Sequence, residues 1–327
     1  MYKLFTNFIA DKQKISILQA ENPDGDSLGS ALALEDVLTT LGKETSLFCP
    51  VDIPKYLRYF DGWSRVENSF DFQAEAYIIV DTASEILLSK LLHDPAIKNA
   101  LHTKPVLVID HHETAPDLSF PYESIIETLP ATGELLHKIF TNNSLEITKT
   151  TATNLLSAIL SDTLGFTATA VTADTLKTTA ALTEQGAKIS DIEDSRREFM
   201  KKSPRILNYK ADLIKRIQYH LDGKLATVHI PWEDIREFSD EYNPNVLILE
   251  ELRLVEKVDV AIAIKTYPDG KLTGKIRAAS PVAEQIAGFF GGGGHPHASG
   301  FRIYESYETT LPELVKTVAK TLEELEK

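Results

Sequence analysis

The chain has 327 residues, of which 43% are hydrophobic and 25% are charged. This composition is typical of a folded globular protein and excludes a largely disordered one. Because the length exceeds what one hydrophobic core usually serves, we expect two domains. The single cysteine, Cys49, excludes an internal disulfide and any zinc site built from several thiolates.

The formal net charge is −14, which bears on the kind of partner the chain can hold. Long nucleic acids are bound by many Lys and Arg side chains that neutralise phosphates. The sequence also lacks an evident basic or aromatic platform for a long single strand. We therefore expect a short RNA or nucleotide substrate, and no long duplex nucleic acid.

The N-terminal stretch MYKLFTNFIADKQK is too short and too polar for a signal peptide. No run approaches the roughly 18 apolar residues that a membrane helix needs. A single cysteine also fits a reducing compartment. We expect a soluble cytoplasmic protein with no membrane partner.

The first half of the chain alternates short apolar runs with helical patterns, which predicts an α/β fold with a parallel sheet wound with helices. Apolar residues recur at helical spacing from Leu28 to Leu41, and Gly42 follows as a stop signal. The predicted strands are Lys14–Leu18, Ala76–Val80 and Pro105–Ile109, and the other predicted helices are Thr132–Phe140, Thr151–Leu160 and Asp174–Gln185.

A rise in charge over Asp191–Lys202, followed by Pro204, predicts an exposed connecting helix. We therefore divide the chain into residues 1–188, a linker over 189–208, and a smaller α/β domain over 209–327. The elements predicted in that smaller domain are strands at Leu225–Ile230, Val258–Ile264, Lys271–Arg277 and Phe301–Tyr304, a turn over 267–270, and helices at Val282–Phe289 and over 311–327.

Acidic residues and histidines follow directly after the predicted strands. The first strand runs into Asp24 and Asp26, the second into Asp81, and the third into Asp110, His111 and His112, while Asp162 lies just past the helix Thr151–Leu160. Because sites in open parallel sheets form at the carboxyl ends of the strands, we expect these side chains to share one edge.

Clustered carboxylates are costly unless cations neutralise them. Oxygen ligands with one or two imidazoles and no thiolate favour Mn²⁺ or Mg²⁺ over zinc. Each of these residues alone has a plainer explanation, since Asp is common at turns and helix N-caps. Their joint occurrence at four consecutive element ends favours a metal site.

A glycine-rich segment, GGGGHPHASGF, spans residues 291–301. Four glycines also occur in flexible linkers. Here the run lies between a predicted helix and a predicted strand, where bare backbone N–H groups can bind an anion. We expect His295 and Arg277 to add charge-assisted hydrogen bonds to a phosphate.

Together these residues resemble the DHH phosphoesterase superfamily with its DHH-associated C-terminal domain. The resemblance covers nearly the whole chain. Its motifs here are Asn22-Pro23-Asp24-Gly25-Asp26-Ser27, Asp81-Thr82, Asp110-His111-His112, Ser161-Asp162-Thr163 and the segment GGGGHPHASGF.

The resemblance implies a two-domain, usually manganese-dependent hydrolase with its active site in the cleft between the domains. It implies two metals that share Asp81. By this resemblance, Asp24 serves the first metal, Asp26, His111 and Asp162 serve the second, His112 lies near the scissile phosphate, Asp110 supports the histidines, and Arg277 with Gly292, Gly293, Gly294 and His295 binds a phosphate or nucleotide.

One position departs from the family pattern. The family usually has a metal-binding His three residues before the Pro of the first motif, where this chain has Ala20. Gln19 and Glu21 do not simply replace it, because a shift of one residue turns an extended side chain to the other face. We therefore expect weak metal binding near Asp24.

The resemblance implies hydrolysis of short oligoribonucleotides or nucleotide phosphates by attack of a metal-bound hydroxide. Two alternatives stay open: a linear or cyclic dinucleotide phosphodiesterase of the same fold, and a nucleotide-binding protein whose catalysis is impaired at Ala20. The sequence leaves base preference, direction of degradation and a possible homodimer undecided.

Overall fold

The computed structural model describes residues 1–113 and 115–325, which form two compact units. Unit 1 is Met1–Lys201 and unit 2 is Lys202–Lys327.

Unit 1 is built on a sheet of six parallel strands. In chain order these are β1 (Lys14–Leu18), β2 (Glu44–Phe48), β3 (Val66–Glu67), β4 (Ala76–Val80), β5 (Val106–Asp110) and β6 (Glu123–Ile126). Their order across the sheet is β3-β2-β1-β4-β5-β6. The chain winds outward from β1 in one direction and from β4 in the other. In such sheets ligands bind beyond the carboxyl ends of the two strands at this switch point.

Helices cover both faces of this sheet. They are α1 (Lys3–Ile9), α2 (Gly25–Thr40), α3 (Ser89–Leu92), α4 (Pro95–Thr103), α5 (Thr132–Asn142), α6 (Lys149–Asp162), α7 (Ala173–Glu184) and α8 (Ile189–Phe199), with 3₁₀ turns at Lys55–Leu57, Trp63–Arg65 and Glu85–Leu88. In β4, Ala76, Ile78 and Val80 face the core with α2, α5 and α6, while Tyr77 and Ile79 face the core with α3 and α4. Burial on both faces explains why these strands read as continuous apolar runs.

The predicted α/β architecture of unit 1 is confirmed, but several element bounds were wrong. Helix α6 begins earlier than predicted, because the side chain of Thr148 caps it by accepting from the N–H of Thr151. It also continues through Asp162, so this carboxylate lies in the last helical turn rather than beyond the helix. Strands β2, β3 and β6 were missed.

Unit 2 is a mixed six-stranded sheet in the order β11-β12-β10-β9-β8-β7. β8 and β9 pair in parallel, and the other neighbouring strands of this sheet pair antiparallel. The strands are β7 (Gln218–His220), β8 (Leu225–Ile230), β9 (Val260–Thr266), β10 (Leu272–Ala278), β11 (Gly293–His295) and β12 (Ala298–Ile303). The helices are α9 (Pro204–Lys215), α10 (Trp232–Phe238), α11 (Pro244–Arg253), α12 (Ala283–Phe289) and α13 (Tyr307–Leu325), and Leu221–Gly223 is a 3₁₀ turn.

The two faces of this second sheet have separate cores. One core packs α12 and α13 against the sheet, and the other packs α9, α10 and α11 against it. The predicted turn at 267–270 is present, closed by the N–H of Tyr267 donating to the carbonyl of Lys271. The two-domain α/β fold class is thus confirmed.

The helix predicted over Asp191–Lys202 is α8, which begins at Ile189 and ends at Phe199. A separate helix, α9, follows it, capped by Ser203 and with Pro204 in its first turn. Within the glycine-rich segment, Gly293–His295 form a strand that was not predicted, β11, which pairs with β12. The last two residues of the helix predicted over 311–327 lie outside the described residues.

Within the described part of the chain, no helix has the length and apolar character needed to cross a membrane.

Candidate functional site

The first motif forms the start of α2. Asp24 caps the helix by accepting from the N–H of Ser27 at 2.9 Å, and its own N–H donates to the Ser27 hydroxyl at 3.0 Å. Asp24 is exposed, whereas Asp26 is fully buried. The cap therefore turns Asp26 into the interior beyond β1, while Asp24 stays at the surface.

The buried carboxylate of Asp26 is held by the N-terminus of α5. The N–H of Thr132 donates to Oδ2 at 2.6 Å, and the N–H of Gly133 donates to Oδ1 at 3.0 Å. Helix N-termini carry free N–H groups and a partial positive charge, so they stabilise a carboxylate there. Asp26 is consequently fixed in one orientation.

Asp81 directly follows β4 and has an uncommon backbone conformation, with φ of 65°. Such left-handed residues are costly and cluster at functional sites, although Asp tolerates the conformation better than most residues. Its Oδ1 accepts a hydrogen bond from the hydroxyl of Thr132 at 2.8 Å. Thr132 thus orients both Asp26 and Asp81.

His111 completes the buried cluster. Its Nδ1 donates to the carbonyl of Leu129 at 2.7 Å, so the proton of a neutral ring is on that atom. Nε2 then presents its lone pair to three carboxylates, at 3.7 Å from Asp26, 3.5 Å from Asp81 and 3.5 Å from Asp162. Among the described residues Nε2 is buried without a hydrogen-bond partner. An orphaned imidazole nitrogen facing carboxylates is the donor set of a divalent cation.

The next residue, His112, is half exposed and pairs with Asp110. Its Nδ1 lies 2.7 Å from Oδ1 of Asp110. This hydrogen bond raises the pKa of His112 above its usual value, against the opposing effect of burial. Burial also opposes ionisation of Asp110, but the hydrogen bond and charge of His112 keep the pKa of that carboxyl low. His112 is thereby favoured as a cation beside the cluster.

Charge repulsion in the cluster is large without a cation. Burial, followed by the charge of Asp26, raises the pKa of Asp162 to about 6. Burial also raises the pKa of Asp26, and burial with neighbouring carboxylates raises that of Asp81 well above its usual value. Ionising all three at neutral pH therefore requires positive charge close by. The residues present fit a divalent metal ion.

Two groups of three residues could each hold a metal ion, because the ligand atoms within each group lie within 4.8 Å of one another. One group is Asp26, His111 and Asp162, and the other is Asp81, His111 and His112. In the searched residues, 1–113 and 115–325, no such group of three includes Asp24. The structure therefore brings together the ligands predicted for the second metal. Among the described residues, Asp24 is not part of any group of three ligands that could hold the first metal.

Position 20, where a metal-binding imidazole was expected, carries only a small, buried side chain. Ala20 is 8% exposed, and its carbonyl accepts a hydrogen bond from Sγ of Cys49 at 3.4 Å. The neighbouring Gln19 is fully buried, whereas Glu21 binds outside the cluster, accepting from the hydroxyl of Ser89 at 3.0 Å. The prediction of a weak first metal position remains a prediction.

In unit 2, the predicted phosphate-binding residues lie at the β10–β12–β11 end of the sheet. Arg277 is paired in register with Ala298 of β12, which is paired in turn with His295 of β11. His295, Gly293 and Gly294 are exposed, and Gly292 is partly exposed. Arg277 donates to its neighbour's carbonyl, Ile276, at 3.1 Å.

Sequence reasoning missed a pocket of about 520 Å³ on the same sheet face as Arg277. Thr273 pairs in register with Lys265 and Arg302, so these side chains share a face with Lys275, two residues along β10. Lys265, Lys275 and Arg302 all line the pocket, and no carboxylate lines it. The pocket is therefore locally cationic, although the net charge of the chain is −14.

Two further residues, Asn245 and Tyr267, line this pocket, which is here named the cationic pocket after Lys265, Lys275 and Arg302. Asn245 is 8% exposed, and its Oδ1 has no hydrogen-bond partner among the described residues. Tyr267 offers an aromatic ring, which Lys271 approaches to 4.0 Å from the ring centre. Cationic side chains and an aromatic ring are the two features with which proteins contact the phosphates and bases of single strands. The role of Thr132 and Gly133 in holding Asp26 was also not predicted, because in the sequence both residues indicate only the start of a helix.

Comparison with known proteins finds similarity to one protein family over part of this chain. Residues 14–159 match the family model described as the DHH family, N-terminal domain. The bifunctional oligoribonuclease and PAP phosphatase NrnA of Thermus thermophilus is 28% identical over 301 residues, covering 89% of this chain and 86% of that protein.

A second relative matches only part of the chain. The manganese-dependent inorganic pyrophosphatase of Bacillus subtilis is 30% identical over 160 residues, covering 47% of this chain and 49% of that protein. Among solved structures, an exopolyphosphatase-related protein from Bacteroides fragilis has the same fold, with a TM-score of 0.82, 20% identity and coverage of 99% of this chain and 95% of that one.

Proposed function

We propose that this chain, whose residues 14–159 match the DHH family model and which is similar to the Thermus protein over 301 residues, hydrolyses short oligoribonucleotides and nucleotide phosphates such as 3′-phosphoadenosine 5′-phosphate, with Mn²⁺ as its metal. The observation that carries this proposal is the buried cluster around His111, whose Nε2 faces three carboxylates and has no hydrogen-bond partner among the described residues.

We propose that Asp26, Asp81, His111 and Asp162 hold one divalent ion, and that Asp24 and Asp81 hold a second, weaker one. Divalent ions at such sites lower the pKa of water and stabilise the negative charge of an attacked phosphate. The ligands are fixed by the hydrogen bond that His111 donates to the carbonyl of Leu129 and by those that Thr132 and Gly133 donate to Asp26. Such outer contacts tune the affinity of a metal site.

His112 is proposed to bind the phosphate under attack. Its Nδ1 is engaged by Asp110, so the half-exposed Nε2 edge of the ring is the one available to a substrate. The raised pKa of His112 favours the protonated ring, which donates to a phosphate oxygen and offsets charge as it develops. Asp110 is then a positioning residue.

The choice of a nucleotide over pyrophosphate is supported by unit 2. Similarity to the Thermus enzyme extends over both units, whereas similarity to the pyrophosphatase covers about half of the chain. The cationic pocket with Lys265, Lys275 and Arg302 suits phosphates, and Tyr267 offers a stacking surface that pyrophosphate does not use. We propose that this pocket and the segment around Arg277 and His295 bind a further phosphate and base of a short oligoribonucleotide.

The test is a substrate panel with the purified full-length chain and Mn²⁺. It contains labelled di- and trinucleotides, 3′-phosphoadenosine 5′-phosphate, cyclic dinucleotides and pyrophosphate, each with and without a chelator. We expect chelator-sensitive release of mononucleotide from the short oligoribonucleotides to be fastest. Preferred turnover of pyrophosphate or of cyclic dinucleotides would overturn the substrate assignment while leaving the family assignment intact.

Ala20 favours a second candidate function. It replaces an expected ligand, and among the described residues no group of three candidate metal ligands includes Asp24. In that case the chain binds nucleotides with little turnover. Calorimetry separates the two: one bound Mn²⁺ with nucleotide affinity and no hydrolysis supports the binding protein, whereas hydrolysis supports the enzyme.

A further inference from the structure

A second cavity, here named the aromatic pocket, lies in unit 1 directly beside the metal-ligand cluster. It has a volume of about 620 Å³, within the usual range for small-molecule sites. Its wall includes Asp24, Gly25 and Ser161, which belong to the first and fourth motifs. Gly25 and Ser161 directly precede the cluster residues Asp26 and Asp162 in the chain, so the pocket adjoins the segments that carry the cluster.

The rest of the wall is largely apolar and aromatic. Tyr56 and Tyr59 come from the segment at the 3₁₀ turn Lys55–Leu57, Phe166 follows α6, and Met200 follows α8. Leu164 is 72% exposed and Tyr56 is 53% exposed. Adjacent large apolar side chains left open to solvent mark binding sites, because burying them is otherwise favourable.

The backbone that builds one side of the aromatic pocket is strained. Leu164, Gly165 and Phe166 have consecutive positive φ values of 50°, 67° and 69°. The Thr163 hydroxyl accepts from the N–H of Phe166 at 3.1 Å and donates to the carbonyl of Ile159 at 2.6 Å, which holds this conformation. Strained segments of this kind persist at ligand sites, and this one begins two residues after Asp162.

The chemistry of the wall selects the occupant. An inorganic phosphate or pyrophosphate has no apolar surface to place against three aromatic rings. A nucleobase has a flat face that stacks on such rings and polar edges that can meet the Arg196–Glu193 pair, whose closest atoms lie 2.6 Å apart. We propose that the aromatic pocket binds the base of the nucleotide whose phosphate lies at the cluster, which rests on the proposed function.

The test compares ligands with and without a base on the Mn²⁺-loaded full chain. Adenosine 5′-monophosphate and ribose 5-phosphate are titrated by calorimetry, and a dinucleotide and its abasic analogue are compared in turnover. The variants are Tyr56→Ala and Leu164→Gly, the latter because glycine adopts positive φ readily. Phe72→Ala is the control, since Phe72 is a 44% exposed ring elsewhere in unit 1.

The wild-type chain is expected to prefer the ligands that carry a base. Tyr56→Ala should reduce that preference by about tenfold for the lost ring. Leu164→Gly should also reduce it, because an apolar wall of the pocket is removed, while Phe72→Ala leaves it as in the wild type. An unchanged preference in both pocket variants would overturn the pocket assignment. The assignment would also be overturned if the pocket variants differed from the wild type in oligomeric state on size exclusion. That result would make this face a contact between copies of the chain. Failure of the wild type to hydrolyse any phosphoester would instead overturn the proposed function.

Discussion

At the scale of single residues, the order of acidic side chains along the chain is what makes the site visible in the sequence. Asp26, Asp81 and His111 each follow a strand whose carboxyl end faces the same edge, and the structure brings them together with Asp162. The supporting residues were not predictable in this way. Thr132 acts through a backbone N–H and a hydroxyl that only the arrangement of α5 against Asp26 brings into contact.

The metal-free cluster should have an unusual dependence of stability on pH. The pKa of Asp162 is about 6 in the folded chain, above its ordinary value, so the folded state binds the proton more tightly than the unfolded state. This contribution to the free energy of unfolding is present at low pH and is lost as pH rises from about 4 to about 6.

Asp162→Asn removes that titration. We therefore expect the metal-free variant to gain stability relative to the metal-free wild type as pH rises from 4 to 7, measured by urea unfolding. The exposed Asp240→Asn controls for the loss of one negative charge. A difference between variant and wild type that stays constant over this range would contradict the repulsion assigned to the cluster.

Ala20→His should restore a donor near Asp24. We expect activity to rise and to saturate at lower Mn²⁺ concentration, because an added imidazole completes a weak ligand set. Ala20→Leu serves as the control of similar bulk without a ligand atom. The same Mn²⁺ dependence in both variants would mean that position 20 does not limit the enzyme.

At the scale of elements, strands and helices with long apolar patterns were predicted and their ends were not. β4 was predicted with its observed bounds because it is buried on both faces, whereas β2, with the sequence ETSLF, is buried only at its last two residues. The end of α6 depends on Leu164 to Phe166, which have left-handed backbone conformations. No local sequence pattern predicts these conformations. β11 consists of residues that disfavour strands and exists through pairing with β12.

The close contact of α2 with α6 can be tested at Gly29. A Cβ there would lie 2.7 Å from the carbonyl oxygen of Asn154, and 3.0 Å from the Cβ of Ala158. Gly29→Ala should therefore destabilise the fold by about 1–3 kcal/mol through overpacking. It should also weaken Mn²⁺ binding, because Asp26 lies one turn away on the same helix.

Gly288→Ala is the matched control, since it is also helical and a Cβ there meets nothing within 4 Å. It should stabilise the chain slightly, by up to about 1 kcal/mol, as alanine does in helices. Thermal unfolding of both variants gives the comparison. Equal melting temperatures would show that the two helices can separate at little cost.

At the scale of the whole molecule, chain length and the pattern of apolar runs predicted two α/β units but not the cationic pocket. Lys265, Lys275 and Arg302 are far apart in sequence, and only the register of β9, β10 and β12 places them on one face. A net charge of −14 hides such a local site, because the acidic residues lie elsewhere. The predicted division at residues 189–208 and the cytoplasmic location remain predictions.

The cationic pocket should make binding of short RNA dependent on salt. If Lys275 neutralises one phosphate of a bound trinucleotide, Lys275→Gln should reduce the slope of log affinity against log salt concentration by about 0.7. Lys320→Gln, on the exposed surface of α13, provides the control. An unaltered slope in the Lys275 variant would remove this lysine from the binding site.

The central claim is that the cluster of Asp26, Asp81, His111 and Asp162 binds a divalent metal that is required for hydrolysis. The most direct measurement titrates Mn²⁺ into the metal-depleted chain, following bound metal by electron paramagnetic resonance and release of mononucleotide from a labelled dinucleotide in the same samples. We predict that both rise together in the wild type. In Asp81→Asn both should fall, by at least about 100-fold in activity, since even contacts to metal ligands are worth 10–100-fold. Tight Mn²⁺ binding with no release of mononucleotide, or binding unchanged in Asp81→Asn, would contradict the claim.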